Sequence, residues 1–427
     1  MHRERLIAYG LALALSSFVR AQDRPPAPHP NTIEGLVTRA FEGNAELRVF
    51  EAELVAAKGQ RTQAGFFKNP EISTEIGGRE VRDSENVLQG NGTTFGIAVT
   101  QSFEFPGKGT LRKAIANKNI EIAELGLEQF RLALVGQVRL LAYEHLAAMA
   151  EAEAAESVYR QSMELSSRLA SQTGFGARQQ IEIRLIQASL VELAGTIKDA
   201  SLRREETRTK LNALLGLPQN MPLRIRDPLL PPHSRLDANQ LVFAAREKNP
   251  LLKIRRRELE RSARELSAAR LDVAPDFAIG PFFSRDVAGD TEQNIGAAIS
   301  ATVPLWDWNI GNIQSAKARR DAAEALRVKA ERDTEAEILS RLKAYELTLR
   351  QLGMIPSGLL QNVREASKLA DTQFRNGSIS AQLYLDTQSA YLDVLRAWQN
   401  AVLDAWRTLL DLNLLTGGNV DTKREKP

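Results

Sequence analysis

There is no cysteine in the 427 residues. That excludes disulfides, a thiolate metal site and a lipid-modified N-terminal cysteine. Long apolar runs are absent too. After Leu6–Val19 no stretch has the roughly 18 uncharged apolar residues of a spanning helix. Aromatics are sparse, at 6%. Charge of one sign is lacking: the net of +3 is too small to argue for nucleic acid. Histidine is scarce, and His29, His145 and His233 have no ligand spacing. His145 lies mid-helix, where a packed or surface histidine is the expected reading. No GxSxG or HExxH motif appears. Gly107-Lys108-Gly109-Thr110 lacks the earlier glycine of a P-loop, since Ser102 stands there. No catalytic constellation, cofactor site or metal site is expected, and the chain does not read as an enzyme.

What is present begins with an address. Arg3 and Arg5 precede the short apolar run, and Val19-Arg20-Ala21 offers a cleavage site. Residues 1–21 therefore read as a signal peptide. Residues 22–30 form a proline-rich leader. Ala, Leu, Glu, Arg and Gln dominate the rest, the mix of long helices. The basic run Lys253–Arg257 alternates with Glu258, Glu260 and Glu265 and reads as a solvated helix face.

The chain is duplicated. Gly176–Gly216 and Gly377–Gly417 match at a spacing of 201: Gln187 lands on Gln388, Leu202 on Leu403 and Thr207 on Thr408. The ending Leu211-Asn212-x-Leu214-x-Gly216 lands on Leu412-Asn413-x-Leu415-x-Gly417. Each copy reads as a long helix with a glycine stop.

In order, helical periodicity runs from an Asn31 cap to about Phe67, and Asn69-Pro70 stops it. Strands are expected at 71–81 and 93–103, with Arg79–Gly92 as a loop between them. Ile72, Ile76, Phe95, Ile97 and Val99 share one alternating face. Such a hairpin suits a soluble sheet or an outer-membrane strand pair equally. From Thr110 to Gln172 there is no proline, which allows a helix of about 90 Å. Gly174-Phe175-Gly176 turns it.

A proline-rich linker, 218–235, separates the first repeat, 31–217, from the second, 236–418. In the second a helix reaches Asp272, and strands are expected at 276–284 and 294–303. A helix then runs to Phe374, with a kink or junction expected at Pro356. Asn376-Gly377 forms the next turn, and 419–427 is a charged tail. Both turns join antiparallel long helices, so Gly174, Phe175, Gly176, Phe374, Asn376 and Gly377 should lie together at one tip. Gly176 and Gly377 are the positions where a positive φ is expected.

This order, twice over behind a signal peptide, resembles the TolC-like outer-membrane efflux proteins. The marks are the Asn69-Pro70 and Ala274-Pro275 stops, Val303-Pro304-Leu305, and the duplicated Gly…Gln…Leu-Asn-x-Leu-x-Gly helix. Gln101–Lys108 further resembles the heavy-metal, cobalt–zinc–cadmium (CzcC-like) branch. The resemblance implies a mainly α chain with a small membrane β part. It implies a homotrimer with a periplasmic α-helical barrel and a twelve-stranded outer-membrane β-barrel. The implied partners are outer-membrane lipid, a periplasmic adaptor protein that meets the tip turns, and an inner-membrane RND pump. The implied function is heavy-metal cation efflux, with drug efflux or type I secretion as the alternative. A periplasmic structural helical bundle is the second alternative. In the family a pattern like Gly-Thr-x-x-x-x-Asp-x-x-Asp follows the second turn and lines the tunnel entrance. Here Asp386 holds the second aspartate position and Leu383 the first, so these two are the gate candidates.

Overall fold

The computed structural model describes residues 32–171, 176–233, 235–356, 358–418 and 420. The expected signal peptide, leader and most of the tail lie outside them.

The first expected helix is two helices. α1 (Ile33–Gly43) and α2 (Ala45–Gln63) are separated by Asn44, whose backbone leaves the helical basin at ψ 121°. An asparagine side chain competes for backbone hydrogen bonds, and here it wins. Asn44 Oδ1 accepts from Leu47 N at 2.8 Å, capping α2. Its Nδ2 donates to the carbonyl of Leu214 at 3.1 Å. The second repeat does the same. Asn249 parts α5 (Ala238–Lys248) from α6 (Pro250–Leu271), caps Leu251 N at 2.8 Å and donates to the Leu415 carbonyl at 2.8 Å.

Those two carbonyls end the duplicated helices, α4 (Ala177–Leu214) and α9 (Ala381–Leu415). Each helix closes in a Schellman turn. Leu217 N bonds Asn212 O and Gly418 N bonds Asn413 O, both at 2.8 Å. Gly216 and Gly417 stand at φ +65° and +68°. A Cβ on Gly216 would lie 2.2 Å from the carbonyl oxygen of Gly43, and one on Gly417 2.5 Å from that of Lys248. The Asn-x-Leu-x-Gly ending is thus one half of a clasp, and the asparagine break in the leading helix is the other half.

The strands are longer than expected. β1 (Glu71–Arg82) pairs with β2 (Leu88–Phe103), and β3 (Phe277–Ala288) with β4 (Asp290–Ala301). The expected loop Arg79–Gly92 is mostly ladder: Arg79 faces Gly92 and Glu80 faces Asn91. A side chain on Gly92 would overlap the backbone of Val287. That glycine marks a close strand approach rather than a loop. The true turn is held by the Asp83 carboxylate, which accepts from Glu85 N, Val87 N and Gln89 Nε2. In the second hairpin Gly289, at φ +92°, makes the turn, and pairing ends at Ala301 rather than residue 303. The hairpins are not separate. β2 pairs with β3, and the whole is one antiparallel sheet in the order β1-β2-β3-β4.

α3 (Lys108–Ser171) is unbroken over 64 residues. Its counterpart is broken: α7 (Ile310–Met354) and α8 (Leu359–Arg375) flank Pro356, and Gly358 turns at φ +83°. Apolar contacts gather in three clusters along the helices. The largest joins α1, α3, α4, α5, α7 and α9, with Tyr143 stacked on Trp406 at 4.5 Å. The linker packs on it through Leu223, Ile225 and Leu229, and Trp406 Nε1 donates to Leu230 O at 2.7 Å. The linker also finishes the first helix: Asp227 Oδ2 accepts from Ile33 N at 2.6 Å. No helix among the described residues is long and apolar enough to cross a membrane.

Candidate pore, lipid and docking surfaces

The ladder registers sort the sheet into two unlike faces. Ile72 faces Val99 and Ile76 faces Phe95; Ile97 faces Phe283, which faces Ile295; Ile279 faces Ile299. All these side chains share one face, as the alternation predicts. They are uncovered: Ile76 is 78% exposed, Ile295 83% and Ile299 75%. The opposite face is small, polar and ionic. Arg79 bonds Asp286 at 2.7 Å and Glu292 at 3.1 Å, and the Thr94 hydroxyl also donates to Asp286. Phe282 is the exception there, lying over Gly296. Only β1 and β4 have free edges among the described residues.

At the far end of the helices, α3, α4, α8 and α9 converge. Leu165, Ile186, Ala370, Phe374 and Tyr384 pack together, with Phe374 and Tyr384 stacked at 5.2 Å. The Tyr384 hydroxyl meets Ser162 Oγ at 3.1 Å. Arg375 joins the helices on the outside, bonding Asp371 at 2.8 Å and Glu164 at 3.3 Å. Its guanidinium holds the Glu164 carboxyl below the usual carboxylate range. The two repeats therefore meet where the sequence expects the tip.

The tip candidates fare differently. Gly174 and Phe175 lie outside the described residues. Gly176 caps α4 with φ −76°, so the positive φ expected of it is not there. Gly377 does hold φ +71°, in a Schellman turn where Ser378 N bonds Gln373 O at 2.9 Å. Asn376 is the C-cap of α8. Phe374 is buried in the apolar cluster and offers no surface to a partner. Leu383 is 53% exposed. Asp386 is exposed beside it, and its Oδ1 accepts from Gln382 Nε2 at 2.8 Å. Both lie on the side of α9 away from buried Tyr384 and Gln388.

Sequence reasoning missed one charged site. Glu151 on α3 is buried, and two guanidinium groups meet it: Arg203 of α4 at 2.6 Å and Arg396 of α9 at 2.8 Å. The available signal was helical phase, since Glu151 shares its face with buried Ala147, Ala148, Ala154 and Ala155, whereas exposed Glu153 does not. His145 is packed, as expected of it. Its Nδ1 lies 3.0 Å from Thr207 Oγ1, and burial pushes its pKa down. Among the described residues no group of His, Asp or Glu is placed to hold a metal.

No family model matches the chain. The cobalt–zinc–cadmium resistance protein CzcC of Cupriavidus metallidurans is 25% identical over 401 residues, covering 91% of this chain and 86% of that protein. Solved channels share the fold. The outer-membrane channel OprN superposes with a TM-score of 0.72 at 20% identity, covering 91% of each chain. The CmeC outer-membrane channel of Campylobacter jejuni gives 0.73 at 15%, covering 95% of this chain and 92% of that one. These relatives are described as channels and a resistance protein, not as enzymes. The chain thus has the fold of the TolC-like outer-membrane channels and, over nine-tenths of its length, a sequence similar to CzcC.

Proposed function

We propose that this chain is one subunit of an outer-membrane efflux channel, and that its cargo is heavy-metal cations. The observation that carries the reading is the sheet: four strands, two open edges and one exposed apolar face. An open edge cannot sit in hydrocarbon, because each unpaired backbone group there costs several kcal/mol. Four strands cannot close on themselves, since about eight is the smallest usual barrel. Pairing β4 of one copy with β1 of the next, three times, removes every edge and gives twelve strands. Strands of 12 to 16 residues are long enough to cross a bilayer when tilted. The apolar face then meets lipid and the polar face lines water.

The long helices of three copies form the periplasmic tunnel, and the tip meets an adaptor protein served by an RND pump. Leu383 and Asp386 face the tunnel entrance. Three copies of Asp386 concentrate negative charge there and favour cations. Similarity to CzcC supports metal as cargo. A channel needs no tight ligand site, since tight binding slows passage. Drug efflux or type I secretion is the second reading, since the channel fold shared with OprN and CmeC does not itself select a cargo. A periplasmic structural bundle is the third; it predicts a protein extracted without detergent.

The test is a deletion strain challenged with zinc, cobalt, cadmium, copper and nickel beside dyes and drugs. Metal sensitivity alone is expected, restored by the wild-type gene. Sensitivity to drugs alone overturns the metal reading. Recovery of the protein as a soluble monomer overturns the channel. In single-channel recordings Asp386→Asn should lower cation selectivity, and unchanged selectivity removes Asp386 from the pore.

A further inference from the structure

The sheet bends toward its polar face, and one side chain reveals it. Arg79 stands on β1 and Glu292 on β4, the two outer strands. At about 4.8 Å per strand, three spacings part them by about 14 Å in a flat sheet, and side chains leave such a sheet at right angles. Yet Arg79 Nη1 donates to Glu292 Oε2 at 3.1 Å, and to Asp286 Oδ2 on β3 at 2.7 Å. Side chains rooted that far apart reach each other where the face is concave and they converge. Gly92 stands opposite Arg79 on β2 and puts no side chain in the way. The polar face is therefore the inside of the curve, and Ile76, Ile295 and Ile299 lie on its outside.

The charges on the inner face are unbalanced. Register places Glu71, Glu75, Asp286, Asp290 and Glu292 on it, and among the described residues Arg79 is its only cation. Asp286 and Glu292 are direct partners across β3 and β4, an arrangement that repels unless a cation joins them. The two ends of the sheet are also held differently. At the helix end Lys108 bonds Asp276 and the Ala274 carbonyl, both at 2.8 Å, and so joins the hairpins. At the outer end the strands finish in short turns, and Arg79 is the tie from β1 to β3 and β4.

We propose that Arg79 is the positioning residue that fixes how tightly each copy's sheet curls, so that β4 of one copy meets β1 of the next. The partner is a second copy of this chain, so the inference rests on the barrel reading. Four strands of a twelve-stranded barrel must turn through a third of a circle. The chord drawn by Arg79 spans that arc from its first strand to its last. Without the guanidinium, repulsion between Asp286 and Glu292 opens the curl, and the two free edges no longer meet their partners at the closing angle.

The experiment dilutes urea-unfolded full-length protein into phosphatidylcholine vesicles. The SDS-resistant trimer is followed on unheated gels, and helix formation is read separately by circular dichroism. Arg79→Gln should form trimer about tenfold more slowly than the wild type while its helices form normally. Glu292→Gln keeps an acceptor for Arg79 and removes the repulsion, so it should be slowed far less. Arg79→Glu/Glu292→Arg reverses the chord with the same charges and should recover most of the wild-type rate. Arg79→Gln/Asp286→Asn/Glu292→Gln has neither repulsion nor ionic chord and should stay slow. A triple variant as fast as the wild type would show that Arg79 only neutralises, which overturns the proposal. So does Arg79→Gln at the wild-type rate, or a reversal no faster than Arg79→Gln. In each of these cases the barrel stands, because the wild type closes. Loss of the helix signal in Arg79→Gln would give the residue a general folding role and likewise overturn the chord. A wild type that forms no SDS-resistant trimer overturns the barrel reading, and the chord falls with it.

Discussion

The two repeats agree at their ends and differ in their middles. Both begin with a helix broken at asparagine, and both close on that break with a glycine turn. Between those points the first runs 64 residues without interruption, whereas the second stops at Pro356 and resumes at Leu359. The turns at the tip also part company, with Gly176 in extended backbone and Gly377 in the left-handed region. A duplicated chain keeps what backbone geometry demands and varies what side-chain packing can absorb. The clasp is demanded because two backbones touch there, and no side chain fits between them.

The largest effect expected from breaking the comparison is at the clasp. Gly216→Val and Gly417→Val each put a branched side chain at positive φ and into a facing carbonyl. Each should cost well over 3 kcal/mol, more than strain at one residue alone. The check is recovery of folded protein by thermal unfolding. A stable Gly417→Val beside an unfolded Gly216→Val would show that only one clasp matters.

The next effect sharpens the comparison, because the Glu151 triad has no equivalent in the second repeat, where Leu352 and Gly353 stand. Here the carboxylate is buried, while Arg203 and Arg396 are each about half exposed. Removing both arginines strands a buried charge, so Arg203→Ala/Arg396→Ala should destabilise by about 3 kcal/mol. Glu151→Gln leaves two cations that can turn to water and should cost only about 1 kcal/mol. Equal costs in denaturant unfolding would contradict this assignment of where the buried charge sits.

The smallest effect separates the two tip turns. Gly377→Ala forces a methyl group into left-handed backbone and should cost about 1 kcal/mol. Gly176→Ala should be close to neutral, since φ is ordinary and nothing lies within 4 Å of the added carbon. Differential scanning calorimetry of the pair reads the difference directly.

Much of the molecule was legible before the structure. The long helices were visible because proline is missing from Thr110 to Gln172. The apolar sheet face was visible because Ile72, Ile76, Phe95 and Ile97 alternate with small or polar residues. The breaks at Asn44 and Asn249 were hidden. Asparagine is tolerated within helices, and its choice to cap was settled by a carbonyl 170 residues away. The strand length was misread for a similar reason. Gly90 and Gly92 look like loop residues locally, but they admit the backbone of β3, which lies almost two hundred residues further on. At the tip the glycine spacing placed the turns. Local pattern could not tell an N-cap glycine from a C-cap one, nor show that Phe374 points inward.

The bond from Ile33 to Asp227 spans 194 residues. Read in time rather than in space, it means that the first helix to be synthesised waits for the linker that follows its own repeat. Until the linker emerges, α1 has only its Thr32 cap and Ile33 N lacks its carboxylate, and the site for Leu223, Ile225 and Leu229 lies open to water. The first repeat is not an independent folding unit, despite being a copy. Non-local closure of this kind slows folding and prolongs exposure of apolar surface. The linker therefore acts as the latch that ends this exposure.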